Sequence, residues 1–360
     1  MRALFLSASF GGGHLQANLA LAEELGVEAV ERDYLEYIPL WQRLPVVWLY
    51  HFSLKHWPGL YGWFYRATDS AGEPRLITDQ FERSGFRAMK EEVEELEPEL
   101  VVASFPTATA LAGSVREKTG AGYKNVLVVT DFRAHRHWAQ PAADLTLVPS
   151  EEAAADLLRF GIPKDKIAIT GIPLRKAIVH PEDPEKVRRR HGFDERPLIL
   201  IASGATDAYR AEREAVRAVV ELGLPAQVVR FRLNGERKRE EAGQVTIHTF
   251  PTGREFAPIL AAADLVLGKA GGVTVAEALA LGKPYLVYKP IPGHEERNAL
   301  WLEEKGAGRF ARTRTELMSL LSAWLKDPLL AAAYAERARA LGRPRAAQEA
   351  AARIRALVEG

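Results

Sequence analysis

Between residues 269 and 279 the chain reads Lys269-Ala270-Gly271-Gly272-Val273-Thr274-Val275-Ala276-Glu277-Ala278-Leu279. An apolar run, Leu265 to Leu267, enters the glycine pair and a helical pattern leaves it, so backbone N–H groups stand free at a helix start. That arrangement suits a diphosphate. Glu277, one turn into the same helix, offers a carboxylate to sugar hydroxyls. The next strand-to-helix connection, Pro290-Ile291-Pro292-Gly293-His294-Glu295-Glu296-Arg297-Asn298, adds His294, Glu295 and Asn298. Together these residues outline a nucleotide-sugar site. Plainer readings stand beside that one. Glycine between strand and helix can serve only a tight turn, Thr274 with Glu277 also fits a capping box that merely satisfies backbone N–H groups, and 290–298 also reads as a solvated loop.

A second set of groups lies in the first half. His14 closes Ser7-Ala8-Ser9-Phe10-Gly11-Gly12-Gly13-His14, a glycine run after the first apolar strand pattern. That is where the carboxyl ends of strands open onto a crevice. An imidazole titrating near pH ~6.5 suits a base that takes a proton from an attacking hydroxyl; the alternative is a helix-start or packing residue. Asp131, ending Val128-Val129-Thr130-Asp131, faces the same crevice. It orients His14 or an acceptor hydroxyl, or it caps the next segment. His14, His135 and His137 have no regular ligand spacing, and no Asp-x-Asp element is present, so chemistry without a metal is expected. Helix N-termini and fixed dipoles then meet the charge of the leaving group.

The glycine-glycine-x-threonine-x-x-glutamate element, the Pro-Gly-x-Glu-Glu-x-Asn element and the Ser7–His14 segment in combination resemble the diacylglycerol glycosyltransferases of glycosyltransferase family 28. These are the monogalactosyldiacylglycerol synthases and processive diacylglycerol glucosyltransferases. A more distant resemblance is to the N-acetylglucosaminyl transferase of the peptidoglycan lipid intermediate. The resemblance implies an inverting transfer of a hexose from a UDP-sugar, a co-substrate rather than a cofactor, to diacylglycerol or a glycolipid. It gives His14 the role of base, with Asp131 beside it, and places Gly13, His135 and Trp138 on the acceptor side. On the donor side it places Ser203 and Gly204 in the loop that opens the second domain, with Thr206 nearby, then Gly271, Gly272 and Thr274. Glu277 matches the carboxylate that holds the ribose. His294-Glu295 stands where the family commonly has Gln-Glu or Gln-Gln against the donor sugar, and the histidine's different hydrogen-bonding inventory bears on which sugar is taken. The segment Phe250-Pro251-Thr252-Gly253-Arg254, at the place that holds the uracil edge, is longer than the family pattern.

These residues need two frames to hold them, and short β-like runs alternate with helical patterns twice over. The first half offers strands at Ala3 to Ala8, Val27 to Glu31, Leu100 to Ala103, Asn125 to Thr130 and Leu145 to Val148, with helices such as Leu15 to Leu25 and Phe86 to Leu96. The second offers Leu198 to Ala202, Gln227 to Phe231, Thr246 to Thr249, Leu265 to Leu267 and Tyr285 to Tyr288, with a helix at Ala208 to Leu222. Alternation of this kind argues for doubly wound α/β units. With the resemblance, the expectation is GT-B: two Rossmann-like domains facing across a cleft, 1–175 for acceptor and membrane, 190–343 for the nucleotide sugar. The last helix, 344–360, is expected to return to the first domain.

Composition narrows the partners. With 360 residues, 47% apolar and 26% charged, the chain can pack two cores, and its net charge of +1 creates no field for nucleic acid. It has no cysteine, so disulfides and thiol chemistry are excluded. No leader is evident and no apolar run is long enough to cross a membrane, so a cytoplasmic protein, peripheral on the inner face of the cell membrane, is expected. Residues 37–68 carry ten aromatic side chains, four of the seven tryptophans, with Arg43, Lys55 and Arg66 but no acid. Aromatics mixed with cations suit a membrane surface, with Trp48, Trp57 and Trp63 as anchors; an aromatic subdomain or a homodimer surface is the alternative. Three rivals stay open for the activity. One is transfer of N-acetylglucosamine to a polyprenyl-linked intermediate. The others are a UDP-sugar epimerase, which does not need the 37–68 surface, and a nucleotide-sugar sensor without catalysis.

Overall fold

The computed structural model describes residues 1–9, 12–71, 75–203, 211–233 and 235–360. By their contacts they form two units: Met1–Arg175 with Pro292–His294 and Arg345–Gly360, and Lys176–Ile291 with Glu295–Pro344. The expected site residue Gly204, with Thr206, Phe10 and Gly11, lies outside the described residues.

The first unit holds a six-stranded sheet of β1 (Arg2–Ser7), β2 (Glu28–Asp33), β3 (Leu100–Ala103), β4 (Lys124–Val128), β5 (Leu145–Val148) and β6 (Ile167–Ile169). All pairings are parallel, in the order β2-β1-β3-β4-β5-β6. Successive side chains of a strand point to opposite faces. Leu4 and Leu6 therefore meet Met89 and Val93 of α4 (Arg75–Leu96) and Leu111 and Val115 of α5 (Pro106–Thr119). Ala3 and Phe5 meet Leu21 and Leu25 of α1 (Gly12–Leu25) and Ala350, Ala351 and Ile354 of the C-terminal helix Ala346–Glu359. That helix is also tied by Arg355, which donates to the carbonyl oxygens of Glu24 and Leu25.

Between β2 and α4 the aromatic segment folds as two helices, α2 (Leu40–His56) and α3 (Pro58–Ala71). Proline at the first position of α3 forces the break, because the residue before it is pushed out of the helical region; Trp57 lies at φ −134° and ψ 56°.

The second unit holds β7 (Leu198–Ala202), β8 (Ala226–Arg232), β9 (Lys238–Ala242), β10 (Val245–Pro251), β11 (Leu265–Gly268), β12 (Tyr285–Tyr288) and β13 (Gly308–Ala311). The order is β13-β12-β11-β7-β8-β10-β9, parallel except for the edge strand β9. Of the helix expected at Ala208 to Leu222, Glu212–Glu221 is described as helix. In each sheet the chain first builds outward on one side of its starting strand and then on the other. The reversal falls between β1 and β3 in the first sheet and between β7 and β11 in the second. The carboxyl ends at such a switch point form the natural crevice of a doubly wound sheet. In the second unit the two strands approach so closely there that a Cβ on Gly268 would lie 2.2 Å from the Ala202 carbonyl oxygen.

Candidate functional site

The first unit's switch point carries His14. The imidazole is half-buried in the first turn of α1, edge-on to Phe105 at 5.8 Å and 6.4 Å from the Trp138 ring. Its Nδ1 lies 3.5 Å from the Thr130 hydroxyl. The Ser104 hydroxyl, following β3, donates to the His14 and Leu6 carbonyl oxygens and ties the two loops together. Burial pulls the His14 pKa below its ordinary value; Asp131 opposes that shift and His294 adds to it. An imidazole held neutral in this way is available as a base. Gly13 is half-buried beside it in α1.

Asp131 is buried, and its Oδ2 accepts the Trp138 indole N–H at 3.2 Å. The 3₁₀ turn Arg136–Trp138 is capped by His135, whose Nδ1 accepts the His137 N–H. His135 and Trp138 are therefore not surface groups. Both are buried, Trp138 in a core with Leu127, Val129 and Leu157. His137 reaches the Thr107 hydroxyl at 3.2 Å. The three histidines considered for a metal thus each face a protein partner, and among the described residues no group of three His, Asp or Glu side chains is gathered for an ion.

The tryptophans of α2 and α3 are the opposite case. Trp41, Trp48, Trp57 and Trp63 are 70, 62, 58 and 62% exposed, among exposed Leu40, Leu44, Leu49, Leu60 and Phe64. An apolar surface of this kind marks an interaction site rather than ordinary scatter. Among the described residues no helix is long and apolar enough to cross a membrane.

In the second unit, β7 delivers buried Ser203 and β11 delivers the glycine pair to the switch point. The helix Gly272–Ala280 starts at Gly272, with Gly271 as N-cap and no side-chain cap. Thr274, half-buried, is therefore the third helical residue, and the capping-box reading of Thr274 with Glu277 is not realised. Gly271 is not required by a left-handed backbone. Its φ of −64° is open to any residue, and a Cβ would sit at an ordinary 3.6 Å from Glu295 Oε1. What the missing side chain leaves is room in front of uncapped N–H groups, as an anion requires.

Glu277 is buried one turn further on and faces Tyr285, whose pKa is raised by burial and by the nearby Glu295 and Glu277 carboxylates. The Tyr285 hydroxyl donates to the Lys269 carbonyl oxygen at 2.5 Å. Glu295 and Asn298 brace this loop from the helix His294–Glu304. Glu295 accepts from Lys269 Nζ at 2.8 Å and from the Ile291 N–H at 2.9 Å, and the fully buried Asn298 amide donates to the Ala270 carbonyl oxygen at 3.0 Å. Lys269 did not emerge from sequence reasoning, although a cation two residues ahead of a glycine pair at a strand end was a readable signal. His294 groups by its contacts with the first unit, its ring 6.2 Å from that of Tyr65.

Residues 14–174 match the family model described as monogalactosyldiacylglycerol (MGDG) synthase, and residues 226–354 match that of the glycosyltransferase family 28 C-terminal domain. A processive diacylglycerol beta-glucosyltransferase of Bacillus licheniformis is 27% identical over 335 residues, which cover 90% of this chain and 86% of that one. Among solved structures, Acinetobacter baumannii MurG is similar with a TM-score of 0.64 at 17% identity, over 98% of this chain and 99% of that one. Anabaena HepE, solved in complex with UDP, gives 0.58 at 16% identity over 99 and 100%. These likenesses carry the fold, which is GT-B. One family domain is thus matched in each half of the chain, of the monogalactosyldiacylglycerol synthase type in the first and of the glycosyltransferase family 28 C-terminal type in the second.

Proposed function

We propose that this protein is an inverting glycosyltransferase that moves a hexose from a UDP-sugar to the free hydroxyl of diacylglycerol at a membrane surface, where it is peripherally bound. The observation that carries the reading is the first unit's pairing of a half-buried His14, its pKa lowered by desolvation and opposed by the nearby Asp131, with a helical hairpin that exposes four tryptophans. His14 takes the proton of the acceptor hydroxyl as that oxygen attacks the anomeric carbon, and the bond to the diphosphate breaks. The N–H groups at the start of Gly272–Ala280 receive the leaving diphosphate, and Glu277 the ribose. No metal is required in this scheme, because oriented N–H groups supply the stabilisation.

The test is to incubate the full chain with diacylglycerol-containing vesicles and a panel of nucleotide sugars, and to identify the lipid product and its anomeric form. A β-linked glycolipid from an α-linked donor supports the reading. Products only with a polyprenyl-linked acceptor, an epimerised sugar nucleotide, or no product from any donor each overturn it.

The hairpin carries its own expectation. Burying one large apolar side chain is worth about 1.5–3 kcal/mol, so the triple change of Trp48, Trp57 and Trp63 to Ser removes roughly 5–9 kcal/mol before ordering costs. Vesicle sedimentation should then show partitioning lowered by at least about 100-fold, while the melting temperature stays near that of the parent because these rings lie outside the core.

A further inference from the structure

The inward face of α3 meets the turn that follows β4. Tyr65, Thr68 and Asp69 stand at helix positions i, i+3 and i+4, one face of the helix, and all three reach His135 or Arg136. His135 Nδ1 accepts the backbone N–H of His137, so the ring's proton sits on Nε2. That Nε2–H donates to the Tyr65 carbonyl oxygen at 2.9 Å, with the Thr68 hydroxyl oxygen at 3.3 Å and the Tyr65 ring centroid 4.3 Å from that of His135. Asp69 Oδ1 accepts the Arg136 N–H at 2.9 Å, and the Arg136 guanidinium donates to the Asp69 carbonyl oxygen at 3.1 Å. The turn so held continues into Trp138. Its N–H donates to the His135 carbonyl oxygen, its indole donates to Asp131, and its ring neighbours His14. On the same helix, directly before Tyr65, Trp63 and Phe64 are exposed.

We propose that His135 is a positioning residue that latches α3 to the Trp138 turn, so that seating the hairpin on a membrane orders the His14–Asp131 site. The inference rests on the membrane-surface reading above and deepens it: the hairpin is an anchor and also part of the catalytic frame. Ligation of a metal or direct binding of the acceptor is not needed to account for His135, because both ring nitrogens already have protein partners. One side of the ring serves the turn and the other serves the helix.

Two replacements separate those sides. His135→Gln keeps a donor near the Nε2 position, and His135→Asn keeps an acceptor near Nδ1 but cannot reach Tyr65. Asp69→Ala removes the helix-side acceptor of the Arg136 N–H while leaving both hydrogen bonds of the His135 ring in place. The full-length proteins are measured with phosphatidylcholine–phosphatidylglycerol vesicles containing diacylglycerol, with UDP-glucose as donor and with hydrogen exchange over residues 131–138. For the parent, vesicles should slow exchange over 131–138 by about tenfold or more. His135→Asn and Asp69→Ala should bind vesicles within about twofold of the parent, lose that protection, and lose about tenfold in kcat at unchanged KM for the donor, the size of one neutral hydrogen bond. His135→Gln should retain most of both. Parent protein that binds vesicles without protecting 131–138 overturns the latch alone, as do Asn and Gln variants with equal losses. Parent protein that binds no vesicles overturns the membrane reading as well. The exchange readout needs no turnover, so it decides the latch whichever sugar is transferred.

Discussion

His14→Ala will lower kcat by about 10²- to 10⁴-fold, the usual worth of a positioned general base, while affinity for the donor stays within about twofold. Isothermal titration with UDP and steady-state turnover on diacylglycerol vesicles check the two halves of that statement. The pH profile of the parent makes the claim specific. A base works in its deprotonated form, so activity falls as pH drops through the pKa of His14. Burial holds that pKa below the ordinary value of about 6.5, so the acid limb of kcat/KM should lie below pH ~6.5. Asp131 pulls in the opposite direction, favouring the imidazolium. Asp131→Asn should therefore move the acid limb to still lower pH, and it should also lower kcat because the imidazolium formed on proton transfer loses its counter-charge. The Trp138 indole keeps an oxygen acceptor in that variant, so a loss of kcat without a shift of the limb would assign Asp131 to the packing of the turn rather than to His14.

The largest effect on stability is expected at Lys269. Its ammonium is the charge partner of Glu295, a carboxylate 2% exposed whose other oxygen is held by the Ile291 N–H. Removing one member of a buried ion pair strands the other, at a cost of about 3–5 kcal/mol. Lys269→Met should therefore lower the urea midpoint of the second unit strongly. Lys269→Met combined with Glu295→Gln should recover at least half of the loss, because the amide oxygen still accepts from Ile291 and no charge is left behind. A double mutant as unstable as the single one would show that Lys269 acts through packing alone. Donor affinity should fall in the single variant as well, since the Gly271–Gly272 turn lies between the two partners.

How far the chain could be read depended on where each segment lies. The strands found from apolar runs, among them Leu100–Ala103, Leu198–Ala202 and Tyr285–Tyr288, lie inside parallel sheets and are covered on both faces, so nearly every residue is apolar. Among the described residues, the three strands that escaped notice are all edges. Ile167–Ile169 closes the first sheet, and Lys238–Ala242 and Gly308–Ala311 close the second. An edge needs less apolar surface and gains from charge, as in Lys238-Arg239-Glu240-Glu241, which discourages pairing with another chain. The 37–68 segment is two helices, broken at Trp57–Pro58, so its aromatic side chains share no single helical face.

The site divides along the same line. Residue types at the ends of apolar runs were enough to nominate His14, Asp131, the glycine pair and Glu277, because in a doubly wound sheet the carboxyl ends of central strands are where ligands bind, and local pattern reveals those ends. Local pattern cannot choose among hydrogen-bond partners far away in the chain. Thr274 and Glu277 match a capping box in sequence, yet the helix begins two residues earlier. Asp131 accepts from the Trp138 indole, seven residues on. His135 is spent on the carbonyl of Tyr65, seventy residues before it, and Lys269 on Glu295, twenty-six residues after it. Such pairings are settled when packed elements bring buried polar groups together and each must find a partner. The chemistry available was written in the order of residues; which groups are left to perform it, and which are consumed in holding the others, was decided only by the packing.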